Sequence, residues 1–161
     1  MKKVKKFFPF TLKKITLRRT HHSKRVIFAR GVNINGAEFG CGVNAGTGTG
    51  GTYSNTNTGT YGTNYIYPSN ADFAYLAGRG IRFIRLPVRW ERLQPTLETA
   101  LDTTELGRLQ TCIDNAYSNG IKTSVALVAY GAYWSNDGGG VGVRHAIGST
   151  GGPTVTQFAD F

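Results

Sequence analysis

Apolar residues along this chain fall into short runs separated by glycine-rich stretches, and the runs differ in period. VIFARGVNIN, from Val26 to Asn35, is β-branched and aromatic at first and then punctuated by Gly31 and Gly36, which predicts one or two short strands. Ser69 stands three residues before Asp72 and ahead of ADFAYLAGRG, so a helix is expected to start there and to end at Gly78 and Gly80. IRFIRL, Ile81 to Leu86, reads as a strand stopped by Pro87. The clearest helix follows: Asp102 to Thr104 supply caps, Leu106, Leu109, Ile113, Ala116 and Tyr117 recur at helical spacing, and Gly120 closes it. IKTSVALVA, Ile121 to Ala129, is again a near-continuous apolar strand.

Strands of that kind, alternating with helices, predict an α/β fold of parallel strand–helix units buried on both faces. Two glycine-rich stretches, Gly40 to Gly62 and Tyr130 to Pro153, read as long surface loops. After the second, Thr154 and Gln157 form a capping box, and Phe158 and Ala159 begin the apolar face of a third helix that has run about two turns by Phe161.

Charge changes the picture only at one end. Residues 1–25 hold ten of the nineteen Lys and Arg and none of the nine acids, so the net charge of +10 belongs to an arm and the remainder is balanced. The arm reads as a solvated, disordered tail in preference to a nucleic-acid or anionic-surface contact, and the body, 26–161, shows no basic footprint. FFPFTL is cut off by Lys13 and Lys14, which leaves no export signal visible, and no stretch approaches the roughly 20 apolar residues of a membrane span.

Candidate chemistry is sparse. GTGTGGT lacks the Lys-Ser/Thr pair of a phosphate loop. Cys41 and Cys112 lie far apart, and His21, His22 and His145 form no ligand pattern, so neither a metal nor a cofactor is expected. Cys112 reads as a core thiol and the three histidines as solvent-facing.

The residues that demand a partner are the arginines of IRFIRLPVRWERLQP, Ile81 to Pro95. Alternation along a strand puts Arg82, Ile84 and Leu86 on one face and Phe83 and Arg85 on the other. In a β/α barrel Phe83 and Arg85 would point inward, with Arg85 at the carboxyl end, where such barrels build their active sites. An inward guanidinium requires an acidic partner or a ligand, and a structural ion pair remains the alternative to a functional role.

GVNINGAEFG, then YPSNADFAYLAGRGIRFIRLPVRWERLQP, then YGAYW and finally HAIGS…TVTQFADF resemble, in order, glycoside hydrolase family 5, the cellulase-like β-glycanases. The resemblance covers Arg30 to Phe161. It implies the first three β/α units of an incomplete (β/α)8 TIM barrel, truncated within the third helix, with parallel strands. It also implies retaining hydrolysis of β-linked polysaccharide by two glutamates about 5 Å apart. In the family those glutamates follow the fourth and seventh strands, so neither is expected in this chain, and the isolated chain is expected to be inactive. The family arginine that helps position the nucleophile falls on Arg85.

Tyr130, Tyr133 and Trp134 follow the third strand and are candidates for a sugar-stacking platform, with plain packing on the barrel rim as the alternative. Trp90 reads as structural. Glu38 and Glu91 follow the first two strands, and loop anchoring or pairing with arginines such as Arg89 or Arg92 is a simpler role for them than a substitute carboxylate pair. Val128 and Ala129 stand where the family usually carries His-Asn. The partners implied are a polysaccharide and the missing C-terminal part of the barrel. A non-catalytic glycan-binding or partner-completed remnant is the alternative function. The family's substrate implies an extracellular location.

Overall fold

The structure is a computed structural model and describes residues 29–40 and 53–161. The basic arm 1–25, with His21 and His22, lies outside the described residues, as do Cys41 and the GTGTGGT run. In chain order the elements are β1 (Arg30–Asn33), α1 (Asn70–Gly78), β2 (Ile81–Val88), α2 (Trp90–Leu93), α3 (Thr103–Ser118), β3 (Lys122–Leu127), β4 (Ala132–Asn136), β5 (Gly142–Ala146) and α4 (Val155–Asp160).

The strands β1, β2 and β3 form one sheet in that order, and both pairings are parallel. Asn33 pairs with Arg85, Arg85 with Ser124 and Val88 with Leu127. The expected strand, helix, strand, helix, strand order is therefore present, with one addition. Strand β2 does not stop at Pro87 but runs through it to Val88. The Arg85 carbonyl accepts from Ile34 on the β1 side, and the Val88 carbonyl accepts from Val128 on the β3 side. Alternation then aims the position-87 nitrogen at the β1 side, where an N–H would meet the Ile34 carbonyl; proline has none, and the β1–β2 ladder ends there.

The two main helices begin at the expected caps. The Ser69 hydroxyl accepts from the Asp72 amide while Asp72 accepts from the Ser69 amide, which closes a capping box and holds the Asp72 carboxyl below its usual range. Asp102 accepts from the Glu105 amide at 2.7 Å and starts α3. The inward stripe of α3 is rotated from the expected one: Glu105, Leu109, Cys112 and Ala116 are buried, whereas Leu106 and Tyr117 are exposed. A glutamate replaces a leucine on the inner face because tyrosine hydroxyls meet it there.

Among the described residues helices cover one face of the sheet, and the other face is not buried, contrary to what the strand pattern predicts. Ile84, Leu86 and Val88 are buried in a cluster with Phe73 of α1, Leu109, Cys112 and Ala116 of α3, and Ile121. Each of the large aliphatic and aromatic side chains among them contributes about 1.5–3 kcal/mol of hydrophobic stabilisation, which fixes the helices against β2. Burial also pushes the Cys112 thiol up to about 11, as befits a core thiol. On the opposite face Phe83 and Val125 stay 41% and 43% exposed.

The stretch from Tyr130 to Pro153, expected as a loop, contains the antiparallel hairpin β4–β5, with Ala132 opposite Ala146 and Asn136 opposite Gly142. Its turn is closed by the Asn136 side-chain oxygen, which accepts from the amides of Gly138 and Gly140. Both glycines have positive φ, 96° and 69°, a conformation other residues rarely adopt. His145 on β5 is not simply solvent-facing, since its Nε2 lies 2.8 Å from Asp137. Helix α4 begins at the Thr154–Gln157 capping box, and Phe158 and Phe161 pack on Trp90, with centroid distances of 5.5 and 5.4 Å. No described helix is long and apolar enough to cross a membrane.

Candidate active-site cleft

The carboxyl ends of β1, β2 and β3 converge on a cleft of about 510 Å³. Asn33, Asn35 and Glu38 line it from the β1 side, Arg85 and Pro87 from β2, and Leu127, Val128, Tyr130 and Gly131 from β3 and the turn after it. Arg85 occupies the place expected from strand alternation: its neighbours Ile84 and Leu86 are fully buried against helices, and it is exposed on the other face. Among the described residues no hydrogen bond or ion pair engages its guanidinium. A cation with no partner among the described residues, set among amides and a carboxylate at the strand ends, is available to an anionic group or a polar ligand.

The loops bounding the cleft are held by charged side chains that the sequence places in the loop after the second strand and the structure buries. Arg89, Glu91 and Arg92, on or beside the single turn α2, are 5%, 0% and 3% exposed. Arg89 donates from Nε to the Glu38 carbonyl at 2.7 Å and from Nη1 to the Val128 carbonyl at 3.4 Å, which ties the β1 and β3 walls of the cleft together. Arg92 donates to the Thr58 carbonyl at 2.9 Å and also to the carbonyls of Ala37 and Phe39. Its guanidinium lies 3.6 Å from the Tyr65 ring centroid.

Two buried carboxylates complete the support. Glu105 accepts from Tyr65 at 2.7 Å, Tyr67 at 2.8 Å and Arg108 at 2.9 Å. Burial and the Glu105 contact push the Tyr65 hydroxyl up to about 12. Glu91 accepts from the Tyr53 hydroxyl at 3.1 Å and the Trp134 amide at 2.8 Å. The glycine- and threonine-rich stretch is thus no free surface loop along its described part, since Tyr53 and Ser54 are buried. Glu91 belongs to this support and not to the cleft, which removes it from any substitute carboxylate pair with Glu38.

Burial raises the Glu91 carboxyl above its usual value, although the Trp134 amide, Arg89 and Tyr53 oppose the shift. A carboxyl that holds its proton more tightly when folded contributes stability in full below the ordinary glutamate range, and loses that contribution as pH rises through the raised value. Urea unfolding of the native chain and Glu91→Gln from about pH 4 to about pH 8 checks this, since an unperturbed glutamate titrates near about 4.3. The native chain is expected to lose stability relative to Glu91→Gln as pH rises. A difference constant across the range would show that the carboxyl is not perturbed.

The three candidate aromatics separate. Tyr130 is 74% exposed and borders the cleft, whereas Tyr133 and Trp134 are 3% and 2% exposed. The expected three-ring platform is therefore corrected to one ring. Tyr133 donates its hydroxyl to the carbonyls of Gln94 and Pro95 and packs edge-on against Trp90, and Trp134 is held by Glu91, so neither ring face is open to a sugar. Trp90 is fully buried and donates to Gln94, as its structural assignment requires. Tyr130 also has φ of 50°, a left-handed conformation that costs a non-glycine residue about 1–3 kcal/mol. Neither that strain nor the Arg89 tie is legible in the sequence.

Among the described residues no group of three or more His, Cys, Asp or Glu is disposed to hold a metal ion. The site can offer a cation, neutral amides, a carboxylate and one open aromatic face. Such a set suits orientation of a polyhydroxylated ligand.

Comparison with known proteins places this arrangement. The chain is 31% identical to the solved structure of XacCel5A, with a TM-score of 0.62 over 82% of this chain and 34% of that one. It is 35% identical to the Pseudomonas stutzeri endoglucanase Cel5A in complex with cellobiose, with a TM-score of 0.55 over 74% of this chain and 30% of that one. The chain thus spans about a third of the length of these solved relatives. The family model described as cellulase (glycosyl hydrolase family 5) matches residues 32–157, which include all three parallel strands but Arg30 and Gly31, the cleft and the hairpin, and the chain accordingly belongs to glycosyl hydrolase family 5.

Proposed function

We propose that these residues form the first three strand–helix units of a (β/α)8 barrel, and that the complete barrel hydrolyses β-linked glucan with retention. The observation that carries the proposal is the Arg85 guanidinium, which has no partner among the described residues, at the carboxyl end of β2 inside the cleft that the three strand ends form. In this role Arg85 orients the carboxylate of the nucleophile with its two-pronged donor geometry. Tyr130 offers its ring to a sugar face, and Asn33 and Asn35 supply amides to hydroxyl groups. The glutamates of the retaining reaction come from later strands, which would close against the face where Phe83 and Val125 stand exposed.

One observation favours a second role, glycan binding without cleavage. The end of β3 presents Leu127, Val128 and Ala129, with no imidazole or amide where the family resemblance implies His-Asn.

A fusion decides between them. Residues 29–161 are joined within α4 to the remaining strands of the Pseudomonas stutzeri endoglucanase and assayed on carboxymethylcellulose beside the 161-residue chain. The chain alone is expected to release no reducing sugar and the fusion to release it. Cleavage by the chain alone would overturn the placing of the glutamates on later strands, and a folded fusion that binds cello-oligosaccharides without cleaving them would overturn the hydrolase proposal.

A further inference from the structure

Tyr130 and Gly131 are two successive residues with left-handed backbone, φ 50° and 64°, at the edge of the cleft. Glycine adopts that conformation at little cost, but a tyrosine relaxes toward extended geometry unless its surroundings hold it. Here the hairpin holds it. Arg144 on β5 donates from Nη2 to the Tyr130 carbonyl at 2.7 Å, and the Ile147 amide donates to the Gly131 carbonyl at 2.9 Å. No described carboxylate forms an ion pair with Arg144, so the carbonyl is its one described polar partner.

We infer that Arg144 is a positioning residue for glycan recognition: by holding the Tyr130 carbonyl from β5 it fixes the left-handed turn and presents the Tyr130 ring at the cleft. The ligand class rests on the β-glucan proposal above, whereas the geometry rests only on the contacts of the hairpin. The turn is closed as well by the Ala132 amide, which donates to the Ala129 carbonyl at 3.0 Å, so loss of Arg144 leaves the turn in place but unties the peptide between Tyr130 and Gly131, and the Tyr130 ring loses its fixed orientation at the wall. The neighbouring wall residues, Leu127 and Val128, are apolar and offer a sugar no hydrogen-bonding side chain, so this part of the cleft depends on the Tyr130 ring and hydroxyl. The hairpin thereby becomes a determinant of specificity although none of its strand residues lines the cleft.

The test titrates the 161-residue chain with cellohexaose by ¹⁵N NMR, using the native chain, Arg144→Ala, Arg144→Lys, Tyr130→Ala and the Arg144→Ala/Tyr130→Ala double variant. Arg144→Ala and Tyr130→Ala are each expected to weaken binding about tenfold, and the double variant no further than Tyr130→Ala alone. Arg144→Lys, which keeps a charged donor, is expected to fall between. Backbone relaxation in Arg144→Ala should show Tyr130 and Gly131 newly mobile while the amides of β4 and β5 stay rigid. Native affinity in Arg144→Ala, or the same loss when Tyr130 is already alanine, overturns the inference, because a stapling role in the hairpin would not depend on that ring. If the native chain takes up no cellohexaose, these strands do not suffice for binding, the β-glucan proposal is left to the fusion assay, and the positioning role is decided by relaxation alone: rigid Tyr130 and Gly131 amides in Arg144→Ala overturn it.

Discussion

Replacing Arg92 by methionine is expected to cost about 3–4 kcal/mol of folding stability, since hydrogen bonds from a charged donor are worth about 1.5–3 kcal/mol each and their loss strands buried acceptors. The side chain is 3% exposed and engages three carbonyls, those of Ala37, Phe39 and Thr58, which belong to two segments far apart in sequence. Methionine fills much of the volume, so the loss reports the donors and the stacking on Tyr65 and not a cavity. Lysine is expected to recover less than half, because one ammonium cannot reach three divergent carbonyls or lie flat on the Tyr65 ring. Urea unfolding checks both variants, with a lower midpoint at unchanged slope as the expected result. A methionine variant within about 1 kcal/mol of the native chain would show that water satisfies these carbonyls and that Arg92 does not hold the loops.

Arg92 also shows where sequence reasoning stops. Strand β2 and its faces were legible because Phe83, Ile84, Arg85 and Leu86 alternate, and one covered sheet face follows from that alternation. Helices α1 and α4 were legible from the capping boxes at Ser69 and Thr154, since those bonds are local. What remained hidden depends on contacts between distant segments. A charged WERL stretch after a proline reads as a loop with Glu91 anchored to an arginine, and only the arrival of Tyr53, Tyr65 and Trp134 makes it an interior. The signal that could have pointed there is the tyrosine content of residues 53–67, excessive for a solvated loop. The hairpin was missed for a related reason: Asp137 to Gly140 reads as a flexible run, yet it is flanked by AYWSN and GVRHA, whose pairing closes it. Tyr133 and Trp134 were assigned to the cleft from their place after β3, but that same pairing turns them inward and leaves Tyr130 alone at the wall.

In the fusion, Arg85→Ala is expected to lower kcat by about 10²–10³-fold, the usual consequence of deleting one preorganised charge-stabilising donor group, with KM changed far less. The direction follows from where Arg85 stands. It lies on the open sheet face, so removing it breaks no bond to a described residue and leaves the Ile84–Leu86 core intact. A stability loss large enough to mimic inactivity is therefore not expected, and the urea midpoint of Arg85→Ala should match that of the fusion. Lysine at this position keeps the charge but presents a single point donor, so it is expected to restore only part of kcat, because a carboxylate held at one atom is free to turn. If Arg85→Ala instead lowers stability and spares kcat, the guanidinium serves an ion pair with later strands of the barrel. The cleft would then have to orient its nucleophile by another group, and the neighbouring Asn33 and Asn35 amides are the nearest candidates on the β1 wall.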